Sequence, residues 1–147
     1  MNAAEFHAEQ LKVLHAIKVG EIDPNAIITG MVLEDGSYHI LSRIGDDVWT
    51  LPDSLFSAGI VDSMKMINFL HVPVAFRETL RGCIARYILS GIEGRSLPKG
   101  GTIRGFFNLA TLFLSWLHEQ HITRLSDVTP LIGQQYVDFC KGLKSQK

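Results

Sequence analysis

Residues 102–121 constrain the fold more than any other part of the chain. They read T-I-R-G-F-F-N-L-A-T-L-F-L-S-W-L-H-E-Q-H, and their large apolar side chains recur at helical spacing on most sides of a helix rather than on one face. A helix that is apolar almost all round is stable only when other elements cover it. We therefore expect a long helix, with Thr102 as its N-cap, at the buried centre of a small bundle.

Two further helices are predicted beside this central one. Pro73 suits a first helical turn, and the apolar stripe over residues 76–88 predicts a helix that ends near Gly91. Thr129 and Pro130 have the residue types of an N-cap and a first helical position, so they predict the start of a last helix. Residues 73–147 are thus expected to be all-α.

The first half of the chain has a mixed pattern. Residues 3–18 predict a short helix, and residues 54–70 predict one or two more. Between them, three short apolar runs separated by turn residues predict an antiparallel β-meander: Ile27–Leu33, Tyr38–Ile44 and Val48–Leu51. The predicted fold class is therefore α+β, with a small N-terminal module over 1–72 followed by the helical bundle over 73–147.

Charge divides the chain in the same place. Residues 1–70 carry four Lys or Arg and ten Asp or Glu, a net charge of −6, whereas residues 71–147 carry ten and five, a net charge of +5. The total of −1 hides this asymmetry. It favours two modules of which only the second suits a polyanion. Two surfaces that simply differ in charge are the alternative.

Composition excludes several classes of protein. With 46% hydrophobic residues and a mean hydropathy of +0.16, the chain has enough apolar surface to fold. The N-terminus lacks the pattern of a signal peptide, and no long uncharged apolar run predicts a membrane span. We therefore expect a cytoplasmic protein that makes no membrane contact.

No motif for catalysis, a metal or a cofactor stands out. Cys83 and Cys140 lie 57 positions apart in apolar surroundings, which predicts buried thiols rather than a disulfide or a zinc site. His118 and His121 are three residues apart, whereas the zinc-protease motif needs a spacing of four. The acidic pairs at 34–35 and 46–47 fit hairpin turns. The sequence thus predicts no catalytic residue, no cofactor and no small-molecule substrate.

Residues 73–147 resemble the SAM-like core-binding domain of tyrosine recombinases, the phage integrase family. The likeness lies in the long helix over residues 102–122, in the connector L-S-D-V-T at 125–129, and in the following helix, which contains Tyr136. Two features depart from the family pattern. The usual tyrosine four residues after Thr102 is Phe106, and the next three positions, often charged in relatives, are F-N-L.

The resemblance implies a function on DNA. A core-binding domain forms one jaw of a clamp around double-stranded DNA, and other recombinase protomers are its partners on paired sites. The nucleophilic tyrosine and the other catalytic residues of the family belong to a following domain. We therefore expect this chain to be a DNA-binding N-terminal portion, nucleoid-associated when bound to DNA, and not an enzyme by itself.

Candidate DNA contacts follow from this resemblance and from the chemistry of phosphate binding, in which helix N-termini and cations neutralise charge. The first set lies on the long helix: Lys99, Thr102, Arg104 and Asn108. Lys141 and Lys144 on the last helix form a second set. Arg77 and Arg81, on a face expected to be solvated, could contact phosphates or could pair with the acidic module.

The acidic module itself suits DNA poorly. We expect residues 1–72 to have a packing or protein-contact role instead. A second class of function stays open at this point. In this alternative the whole chain is a protein-interaction or regulatory module that does not bind DNA, as the near-zero total charge and the phenylalanine-rich long helix suggest.

Overall fold

The computed structural model describes residues 1–145, with side chains over residues 1–143, and confirms the α+β fold class. These residues form four helices and four short strands, in the chain order α1 (Ala3–Lys18), β1 (Ile27–Val32), β2 (Tyr38–Arg43), β3 (Val48–Thr50), β4 (Met66–Asn68), α2 (Val74–Ser90), α3 (Gly100–Glu119) and α4 (Pro130–Ser145). Short 3₁₀ turns connect several of them. Among the helices of residues 1–145, none combines the length and the apolar character that crossing a bilayer requires.

The predicted helices form at nearly the predicted positions because local signals define their ends. The Asn2 side chain accepts a hydrogen bond of 2.8 Å from the Glu5 amide and caps α1. At α4, the Thr129 hydroxyl accepts one of 3.2 Å from the Ile132 amide, as predicted. The prediction of Thr102 as N-cap is wrong, since α3 begins at Gly100 and Lys99, three residues before Thr102, occupies the N-cap position.

The three predicted strands form, but not as one meander. β1 pairs with β2 in an antiparallel hairpin, whereas β3 pairs with β4, which lies in the segment predicted to be helical. Side-chain hydroxyls of β1 and β2 bond to β3 in place of a ladder between β2 and β3. The Thr50 amide donates to Ser42 Oγ at 2.7 Å, and Thr29 Oγ1 donates to the Thr50 carbonyl at 2.8 Å. Backbone groups of β3 are thereby satisfied without a third hairpin strand.

One hydrophobic core crosses the predicted boundary between residues 72 and 73. Val13 and Ile28 from the first half lie in the same buried cluster as Ile84 and Leu117 from the second. The two segments therefore share a core instead of each having its own. The prediction of two buried thiols is wrong. Cys83 is exposed on α2 because it lies on the side turned away from this core, and Cys140 on α4 is only half-buried.

Candidate nucleic-acid interface

The start of α3 is held in place by a close contact with the first half of the chain. Gly100 is buried under the ring of Phe56, which occupies the space that a Cβ atom at Gly100 would need. Gly101 and Thr102, the next two residues, are exposed. None of the side chains of residues 1–143 caps this helix end. Within this part of the chain, the amide groups of the exposed residues Gly101 and Thr102 are therefore left without a side-chain cap, and the helix dipole favours an anion beside them.

Positive charge surrounds this helix end. Lys99 is exposed at the N-cap position, and Arg95 is exposed in the preceding loop. Arg104, one turn along, is half-buried, and its Nη1 atom lies 2.8 Å from the sulfur of Met64. Asn108 is exposed one turn further along. The four predicted contacts therefore lie along the N-terminal half of α3 but not on one face. At about 100° per residue, Arg104 and Asn108 lie roughly 140° to 180° around the helix from Lys99.

The surface at this end of α3 is concave. Lys99 and Thr102 both line two cavities that adjoin at Leu97, one of about 600 Å³ and one of about 300 Å³. Arg95 lines the second. Sequence reasoning missed Arg95 and the role of Phe56. The Gly100-Gly101 pair was the available signal, because residues without Cβ atoms permit close approach.

Arg81 does not lie on a solvated face, so that prediction is wrong. The residue is only 7% exposed, and its guanidinium lies over the ring of Phe69, with Cζ at 5.1 Å from the ring centroid. Nη1 donates to Glu78 at 2.6 Å, and Nη2 donates to the Asp46 carbonyl at 3.2 Å and lies 3.6 Å from the Asp47 carboxylate. The alternative interpretation, pairing with the acidic first segment, is confirmed for this residue.

Arg77 also binds the protein's own backbone. It is half-buried, and its Nε donates to the Val72 carbonyl at 2.9 Å while Nη2 donates to the Leu70 carbonyl at 3.3 Å. These bonds hold the start of α2 against the turn that precedes it. The guanidinium groups of Arg77 and Arg81 therefore serve the fold first, which leaves α3 and α4 as the stronger candidates for DNA contact.

The second predicted set, Lys141 and Lys144, belongs to a different helix, α4. α4 joins the C-terminal half of α3 through aromatic contacts, with the Tyr136 ring 4.7 Å from Phe113 and 5.3 Å from Trp116. Lys141 is exposed on this helix, and the side chain of Lys144 lies outside the described residues. The aromatic contacts of α4 thus lie at the C-terminal half of α3, whereas Lys99 lies at its N-terminus.

Tyr136 offers a direct test of this aromatic packing. Burial, with a smaller contribution from a hydrogen bond to Cys140, raises the pKa of Tyr136 to about 12. In an absorbance titration of the tyrosinate band, we expect one of the three tyrosines to ionise late and Tyr136→Phe to remove that late step. A raised pKa favours the protonated folded state, so this group's contribution to stability is present below pH ~10 and is lost as the pH rises toward ~12. Absence of a late-ionising tyrosine in the unmodified protein would contradict the packing.

Comparisons with protein-family models, with curated proteins and with solved structures give no match for this chain. The tyrosine recombinase resemblance therefore stays a prediction from the sequence.

Proposed function

We propose that this chain binds double-stranded DNA through the start of α3. In this proposal it is the clamping N-terminal part of a site-specific tyrosine recombinase, and a C-terminal catalytic domain performs strand exchange during DNA integration or recombination. The observation that carries the proposal is the uncapped N-terminus of α3, framed by Lys99 and followed by exposed Thr102 and Asn108. Other recombinase protomers on the same DNA are the proposed protein partners.

The chemistry of this helix end suits a phosphate. Free amide groups and the helix dipole accept an anion, and a lysine at the N-cap adds a full positive charge. Gly101 and Gly105 leave the surface open, since a Cβ atom at either position would meet nothing within 4 Å. A DNA backbone can therefore approach the helix closely. Asn108, further along, has the side chain that pairs with adenine in the major groove.

The charge distribution supports the same surface. Ion pairs engage several cations, among them Lys12, Lys65, Arg81 and Arg124. None of these pairs uses Lys99 or Arg104, so those cations are available for phosphate. The acidic turn at 46–47 is engaged by Arg81 on α2, which offsets part of the negative charge of the first half.

We expect Lys99→Ala/Arg104→Ala to weaken binding to a mixed-sequence duplex and to flatten its salt dependence. Fluorescence anisotropy at several salt concentrations gives the slope of log affinity against log salt. The magnitude of this slope should fall by about 0.9 for each phosphate that the variant no longer neutralises. The matched control is Lys12→Ala/Lys18→Ala, which removes two exposed lysines from α1. That control should retain the slope of the unmodified protein.

Two results would overturn the proposal. One is equal salt dependence in both double variants, because nonspecific attraction would then explain the binding. The other is no binding at low salt by a folded protein. A protein-interaction function would then be favoured, since α3 exposes Leu109 by 70% along with much of Phe106 and Leu112.

A further inference from the structure

The outer edge of β1 is unpaired within residues 1–145. The Leu33 amide donates to the Ser37 carbonyl at 2.8 Å and closes the hairpin. Because backbone groups alternate along an antiparallel strand, the N–H and C=O groups of Gly30 and Val32 then point away from β2. Among the described residues, no hydrogen bond reaches these outward groups. Val32 is exposed, whereas Gly30 is buried and lines the groove described next. The outer edge of β2 differs, since the Tyr38 amide donates there to the Met1 carbonyl at 2.7 Å.

A groove runs along this unpaired edge. It has a volume of about 470 Å³ and is lined on one side by residues 28–32. Its other walls carry apolar side chains from four separate parts of the chain, namely Phe6, Leu55, Ile88 and Leu97 with Pro98. Val32 is 57% exposed at the open end. Unpaired strand groups beside an apolar groove are the requirements for adding a strand from another polypeptide.

The charged residues at the groove beside β1 indicate which kind of ligand it can bind. Asp53 is the charged residue in the described lining, and its carboxylate lies 2.8 Å from the Lys65 ammonium. No lysine or arginine of residues 1–143 lines the groove, which disfavours a nucleic-acid phosphate. The same strand leads into the exposed acidic residues Glu34 and Asp35 at the hairpin tip. An apolar segment flanked by basic residues is therefore complementary to this surface.

We propose that the β1 edge binds an extended peptide segment of another protein, with alternating apolar side chains and flanking lysine or arginine. The segment adds a strand beside β1, hydrogen-bonds to Gly30 and Val32, and places alternate side chains in the groove near Leu97. This surface is independent of the DNA-binding proposal and uses neither Lys99 nor Arg104.

The test uses the full chain and an acetylated, amidated probe peptide with the sequence Lys-Thr-Val-Thr-Val-Thr-Val-Lys. Amide NMR spectra should show that the peptide shifts the Gly30 and Val32 signals and slows their hydrogen exchange. Val32→Pro removes the outward N–H, a change that an edge strand tolerates, and should weaken binding by about five- to tenfold, the effect of one net hydrogen bond. Val32→Ala keeps that N–H and is the matched control.

A second variant covers the case in which Val32→Pro fails to fold. Leu97→Asn changes an exposed loop residue outside the sheet and should also weaken peptide binding. Absence of any shift at about 1 mM peptide, a concentration that detects weak complexes, overturns the proposal. Protection of the same amides by a second copy of the chain, or by a DNA duplex, also overturns it, because either result assigns this edge to a different occupant.

Discussion

Trp49→Ala is expected to lower the free energy of unfolding by about 3–5 kcal/mol, the range for truncating a buried aromatic side chain. Trp49 is 0% exposed, and its indole N–H donates to the Ile44 carbonyl at 3.2 Å. The substitution removes the ring from the core and leaves this carbonyl without its donor. Both effects destabilise the folded state.

The loss of stability caused by Trp49→Ala should extend to the helices of the second half of the chain. The Trp49 ring meets Phe69 edge-on with centroids 4.6 Å apart, and Phe69 meets Phe107 of α3 in the same way at 5.5 Å. A continuous aromatic series thus joins β3 to the central helix. We expect the helices of the second half to unfold in the same transition as the strands, because both depend on this series.

Urea denaturation can be followed with two probes. Far-ultraviolet circular dichroism reports the helices, and near-ultraviolet circular dichroism reports the packing of the aromatic side chains. The expected result is one transition at a lower midpoint, with both probes coincident. Leu109→Ala is the control, since that side chain is mostly exposed and its truncation should change stability by less than about 0.5 kcal/mol. A helical transition that is unaffected by Trp49→Ala would show that the two halves have separate cores.

The helices could be predicted from the sequence because their signals are local. Apolar spacing over residues 76–88 and the Thr129-Pro130 start lie within single elements, and both predictions are confirmed. The pairing of β3 with β4 could not be predicted in this way. It depends on the burial of Ile67 against distant elements, and a three-residue strand carries too little periodicity to indicate it.

The candidate site shows the same division between local and distant information. Placing Lys99, Thr102 and Arg104 at one helix end required only the helix itself. The burial of Arg81 required two distant features, the ring of Phe69 and the carbonyl of Asp46. A basic residue on a polar helix face looks solvated until the partner that covers it is known.

Arg81→Met should lower the free energy of unfolding by about 2–3 kcal/mol. Breaking a fully buried ion pair costs roughly 3–5 kcal/mol. The cost is smaller here because the partner carboxylates of Asp47 and Glu78 are mostly exposed and stay hydrated. Methionine retains much of the apolar packing but cannot donate to the Asp46 carbonyl. It also removes the cation above the Phe69 ring.

The same variant separates a structural role from DNA contact. At a temperature where it remains folded, Arg81→Met should bind duplex DNA as tightly as the unmodified protein, because its guanidinium is turned toward the acidic segment. Arg86→Ala, an exposed arginine on the same helix, is the control for stability and should change it by less than about 0.5 kcal/mol. Loss of DNA affinity with unchanged stability would instead make Arg81 a phosphate contact and would require α2 to turn this face toward the DNA.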